Sequence, residues 1–174
     1  MASAQMAGDG KTVLEAADKL SNVVSDEAAQ TFAWLQAVKS APYFAHAQFG
    51  NADTMLATPD PGDQFPFIKA MWHYMRGVAL AQRGERSAAE SEAQAIAKLD
   101  QTAKFDDVIA WGVPANDVLK VAYHVVQARA AQFAAQRIAA LPRRRSAEGD
   151  QPGLGRDRQR ERLPPPQQPR GRGR

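Results

Sequence analysis

Apolar residues recur at steps of three and four through most of the first 141 positions. The clearest stripe is Ile68, Met71, Met75, Val78 and Ala79, which predicts a helix over about Phe67 to Gln82. Gly84 follows where a helix stop requires a left-handed residue. Ser87 then precedes a second helix, to about Leu99, with Ala89, Ala93, Ile96, Ala97 and Leu99 on one side and Asp100-Gln101 closing it. Two helices joined by about three residues fold back on each other as an antiparallel hairpin.

The same spacing predicts further helices on both sides. Pro114 fits a first-turn position, and Val118, Leu119, Val121, Ala122, Val125 and Val126 form the apolar side of a helix that begins there. The Ala-rich run to Leu141 is either that helix extended or a second one bent back near Ala131-Gln132. Lys11–Val23 places Val13, Leu14, Ala17 and Leu20 at helical intervals after Gly8-Asp9-Gly10. Glu27 to Phe49 reads helical with Phe32, Leu35 and Val38 apolar, and Pro42 is expected to break or kink it, lacking a donor and crowding the preceding turn. Pro59, Pro61, Gly62 and Pro66 mark a loop. No window alternates, so no sheet is expected and the fold class is all-α.

Charge divides the chain at Leu141-Pro142. Residues 142–174 hold ten Arg, no Lys and four acids, a net +6, whereas residues 1–141 hold twelve Lys and Arg against fifteen acids, a net −3. The pI near 9.4 therefore belongs to the last 33 residues. That stretch has six of the eleven Pro, five of the twelve Gly, no aromatic, and Leu154 and Leu163 as its only large aliphatics. Such a composition cannot bury enough apolar surface to offset the entropy of ordering it, so a disordered tail is expected beyond a helical domain at 1–141.

A repeat organises the helical part. Gly50 lies 34 residues before Gly84, and Gly8 lies 42 before Gly50. Each precedes a helical segment, and AGDGKTVLEAADKL matches RGERSAAESEAQAIAKL best. The 34-residue helix–turn–helix period, carried by WHYMRGVALAQRGERSAAESEAQAIAKLD at 72–100, resembles the tetratricopeptide repeat. Gly77 matches that family's small residue in the first helix, Gly84 its turn glycine, Ala89 its small residue in the second helix, and Asp100 stands where that helix ends. Trp72 is displaced by one from the usual aromatic, Ile96 replaces an alanine, Gln101 stands where Pro is common, and Tyr43 occupies a small-residue position. The wider pattern PYF…FG…WHY…RG…A…G is similar to a group of bacterial tetratricopeptide proteins of undefined function. The resemblance implies stacked antiparallel hairpins, an α-solenoid whose first helices line a concave groove. Carried over to this chain, Met71, Tyr74, Met75, Val78 and Gln82 would face that groove, and small side chains at Gly77 and Ala89 would let the two helix backbones approach closely.

Both ends suggest a fragment of a longer repeat protein. The chain opens inside what should be a first helix, with seven residues before Gly8. Past Leu141 the Arg/Pro/Gly/Gln composition is what out-of-frame reading of a GC-rich gene generates, so residues 142–174 are read as a frame-shifted or non-native terminus.

Candidate chemistry is sparse. With no cysteine, thiolate metal sites, disulfides and cysteine nucleophiles are excluded. His46, His73 and His124 lack an i+4 ligand partner, so no metal and no cofactor are expected. No serine elbow or phosphate loop occurs, and Asp106-Asp107 reads as a helix start rather than an acid/base pair. No run reaches the length of a membrane span, and MASAQMAGDGK lacks a secretory pattern. The chain as written is expected to be cytoplasmic. The leading expectation is a non-catalytic protein-interaction scaffold that holds a peptide or partner helix. The alternative is a binder of nucleic acid or an anionic surface through RRR at 143–145 and RGRGR at 170–174. No aromatics interleave those runs to stack on bases, which makes nucleic acid the weaker partner.

Overall fold

The computed structural model describes residues 2–140; the tail anticipated at 142–174, with its Arg runs, lies outside them. Among the described residues there are nine helices and no strand. These are α1 (Ala2–Met6), α2 (Gly10–Ser21), α3 (Asp26–Thr31), α4 (Leu35–Phe49), α5 (Ala52–Ala57), α6 (Pro66–Gln82), α7 (Arg86–Thr102), α8 (Asp106–Ala110) and α9 (Ala115–Ala140). None is long and apolar enough to cross a membrane.

Local chemistry sets the helix starts. The side chains of Asp9, Ser25 and Asn51 accept hydrogen bonds from the backbone N–H of Thr12, Ala28 and Thr54, which caps α2, α3 and α5. Pro66 opens α6 at a position where a missing N–H costs nothing. Gly84 ends α6 with φ of +76°. Its N–H donates to Ala81 O at 2.8 Å, and the Glu85 N–H donates to Leu80 O at 2.9 Å. That double bond pattern satisfies two free carbonyls and requires the left-handed conformation that glycine adopts without strain. Gly8, with φ of +73°, ends α1 in the same way. Gly50 does not share this role. Its φ is −77°, and glycine is needed there because a Cβ would stand 2.6 Å from the His46 carbonyl oxygen.

The hairpin anticipated at 67–99 is present as α6 and α7, and α7 runs on to Thr102. One other expectation changes, and one open alternative is decided. The stretch from 27 to 49 is interrupted at Phe32–Trp34, not at Pro42, which lies buried inside α4. Packing on α2 and α6 holds α4 helical across the proline despite its missing N–H. The Ala-rich run beyond Ala131 continues α9 and does not bend back.

Helix α6 is the centre of the core. Phe67, Ile68, Ala70, Met71, Trp72, Met75, Gly77, Val78, Ala79, Leu80 and Ala81 are all buried, because α4, α5, α7 and α9 pack around it. Helix α7 contributes Ala89, Ala93 and Ile96, and its short side chains bring it close to α6. Asn116 Nδ2 donates to Asp100 Oδ1 at 2.8 Å, joining the end of α7 to the start of α9. Helix α9 consequently runs in the same sense as α6. Gly77 is where α6 and α9 meet: a Cβ there would stand 2.6 Å from Val126 Cγ1 and 3.4 Å from Glu92 Cβ. The notch therefore receives chiefly a side chain of α9, with α7 at its rim, rather than the α7 backbone alone.

Polar side chains on the remaining edge of α6 are paired outward. His73 Nδ1 lies 2.6 Å from Glu92 Oε2, and Arg76 Nε donates to Glu92 Oε1 at 3.0 Å, which ties α6 to α7. Arg76 also donates to the Leu56 carbonyl at 3.2 Å and stacks over the Trp72 ring at 4.6 Å. The Trp72 indole donates to Thr58 O at 3.2 Å, and Lys69 pairs with Asp60 at 2.6 Å. Burial works to raise the Glu92 pKa, but the hydrogen bonds from His73 and Arg76 prevail and hold it below its ordinary 4.5.

Two outcomes follow from this packing. Gly77→Leu is expected to cost about 1–3 kcal/mol in urea unfolding, as overpacking does. Val126→Ala in the same chain should return part of that loss, whereas strict additivity would place the two residues apart. Glu92, lowered in the folded state, contributes stability above its unfolded pKa, and that stability disappears as pH falls through the folded value. Glu92→Gln should thus cost about 1–3 kcal/mol at pH 7 and show a shallower loss between pH 5 and pH 3 than wild type; identical acid limbs would refute the pairing.

Candidate functional site

Helices α4, α6 and α9 lie side by side, and a groove of about 470 Å³ opens along them. Phe44 comes from α4 and Tyr74 from α6, with ring centroids 5.6 Å apart. Val118, Val121, Ala122 and Val125 of α9 form the other wall, and Asp117 stands at its end. Val121 is 62% exposed. The Tyr74 phenol is pushed above its ordinary pKa by burial, opposed in part by the positive charge of Arg129. Among the described residues Arg129 forms no ion pair, and Asp117 pairs only with Lys120 at 3.6 Å on the surface.

Of the five groove residues expected from the sequence, Tyr74 alone lines this groove. Met71, Met75 and Val78 are buried at 0–1% exposure within the core. The difference has a geometric cause: these three share one buried stripe of α6, whereas Tyr74 sits about 60° from Met71 at 100° per residue. Gln82 is half-buried near the end of α6 and stands apart from the groove lining. Of the three structural residues, Gly77 and Ala89 are buried at helix contacts and Gly84 is the turn.

Phe44 and the α9 wall were not singled out from the sequence. The signal was available on α9, where the apolar positions from Val121 round to Leu119 span about 160° of arc. Leu119 and Val126 on one side of that arc are fully buried, and Val118, Val121 and Val125 on the other side line the groove.

A second hollow of about 400 Å³ opens where α5 stops short, lined in part by Asp18, Lys39, Tyr43, His46, Thr58 and Asp60. Its charges are already engaged: Asp18 with His46 at 3.4 Å, Lys39 with Asp26, and Asp60 with Lys69. His46 Nδ1 is buried without a partner. His46, His73 and His124 lie on three different helices, α4, α6 and α9. Among the described residues no three His, Asp or Glu side chains gather as a metal site would need. Asp106 and Asp107 occupy the first turn of α8, a helix-start position.

Compared with protein-family models, curated proteins and solved structures, the chain matches none.

Because Val121 is exposed, Val121→Asp is expected to leave unfolding stability within about 0.5 kcal/mol of wild type. The same change should reduce binding of an apolar fluorescent dye to the folded chain. A large destabilisation would mean the groove wall is core.

Proposed function

We propose that residues 1–141 form a tetratricopeptide-type stack of helical hairpins that works as a non-catalytic interaction scaffold, seating a peptide or helix of a protein partner. The observation that carries this reading is the apolar groove, with Phe44, Tyr74 and a Val121 left largely open to solvent. An apolar concavity that stays open among the described residues is the usual mark of a docking surface.

The order of packing supports the architecture. Helix α6 packs on α7 within one hairpin, both pack on α9, and α4 packs on α6 from the other side. First helices thereby stand next to first helices, as stacked repeats require. The Gly8 and Gly84 turns agree in conformation, whereas the unit around Gly50 has a six-residue second helix and a different turn. That middle unit is degenerate in sequence and in form. The groove residues suit the role: Tyr and Phe supply rigid contact area, and valines supply apolar surface at low entropic cost.

Selecting binders from a displayed random-peptide library against the full chain tests the proposal. Peptides are expected that lose at least about tenfold in affinity on Val121→Asp or Phe44→Ala, the behaviour of residues central to an interface. If every selected peptide binds those variants as well as wild type, the groove is not the docking surface.

A further inference from the structure

Asp117 lines one end of the groove, and Arg129, whose phase on α9 falls between those of Val118 and Ala122, stands one turn beyond Val125, so opposite charges bracket the valine row in an order that distinguishes one kind of occupant. Asp117 lies in the first turn of α9 and Arg129 twelve residues later, which is about 18 Å along the helix. Between them Val118, Val121 and Val125 stand at steps of three and four, and exposed Ala128 continues the seam. A row at that spacing is complementary to the equivalent row of another helix, as in knobs-into-holes packing. An extended strand, with its side-chain period of two, matches it poorly.

Direction follows from electrostatics. Helices favour acids near their N-termini and bases near their C-termini, since both oppose the helix dipole. A helix lying antiparallel to α9 brings its N-terminal end to Arg129 and its C-terminal end to Asp117. Its favoured charges then meet opposite charges at both ends. Laid parallel, the same helix would meet like charges at both.

Resting on the docking role proposed above, we infer that the groove takes an amphipathic helix of a protein partner, antiparallel to α9. That helix has an acid near its N-terminus, three apolar anchors at steps of three and four, and a base about twelve residues after the acid.

The test uses three synthetic sixteen-residue peptides and the full chain, read by fluorescence anisotropy. One peptide has Glu at its second position, leucines at the stated steps and Lys twelve residues after the Glu; the second exchanges the Glu and Lys; the third places a central Pro in the first. The Glu-first peptide is expected to bind about tenfold more tightly than the Lys-first one at low salt, as two rim charges reversed together allow. The difference should shrink toward unity at 0.5 M salt. The Asp117→Lys, Arg129→Glu double variant should invert the preference, and Val121→Asp should abolish binding of both. Binding that depends on Val121 but ignores charge order, or that tolerates the Pro, overturns the helix inference and leaves the groove reading standing. Absence of any Val121-dependent binding removes both. Sedimentation of the free chain as a dimer that Val121→Asp dissociates would make a second copy the occupant and would also overturn the inference.

Discussion

A helix packed against over most of its circumference is the constraint from which the rest of this molecule follows. Helix α6 is covered by α4, α5, α7 and α9, so most of its residues are apolar and several are small. Interiors pack at crystal-like density, and the distance between such helices is set by the side chains at the crossing. At Gly77 there is none, and Val126 fills the space. That single notch fixes how far α9 sits from α6. It therefore also fixes how far the Val121 wall stands from Tyr74, which is the width of the groove.

Packing alone would leave α6 free to slide along its neighbours. The polar residues on its uncovered edge oppose this, because His73 and Arg76 converge on Glu92 while Arg76, Trp72 and Lys69 reach Leu56, Thr58 and Asp60. Those bonds join the main hairpin to the short α5 segment, whose Met55 is also fully buried in the same core. Directional bonds to partly buried charged groups are costly to leave unmade, so they favour one register over others. Helix α5 is thus held against α6 by hydrogen bonds and by burial together.

The hairpin at 67–99 was legible because periodicity and the Gly84 stop act locally. What escaped depends on neighbours distant in sequence. Pro42 signals a break, yet packing from both sides carries α4 through it, while the real interruption at Phe32–Trp34 contains no Gly or Pro to mark it. There Phe32 meets Trp111 edge to face at 6.3 Å, a contact no local pattern announces. The groove was half legible. Tyr74 could be named from the repeat, but the same reasoning placed Met71, Met75 and Val78 beside it, since a stripe does not reveal which part of its arc a neighbour covers. The Glu92 pairing spans 16 to 19 residues and requires knowing how α6 and α7 align.

Because the chain has no cysteine of its own, the central contact can be tested by cross-linking. Gly77→Cys and Val126→Cys introduced together place two sulfurs within reach of a normal disulfide, whose Cβ atoms are separated by about 3.5–4.5 Å. Mild oxidation of the folded double variant should give complete intramolecular cross-linking, seen as a faster-migrating band that reductant reverses. Free thiols that persist, or cross-links only between separate chains, would mean α6 and α9 do not meet at this notch, and the groove built on their contact would be lost.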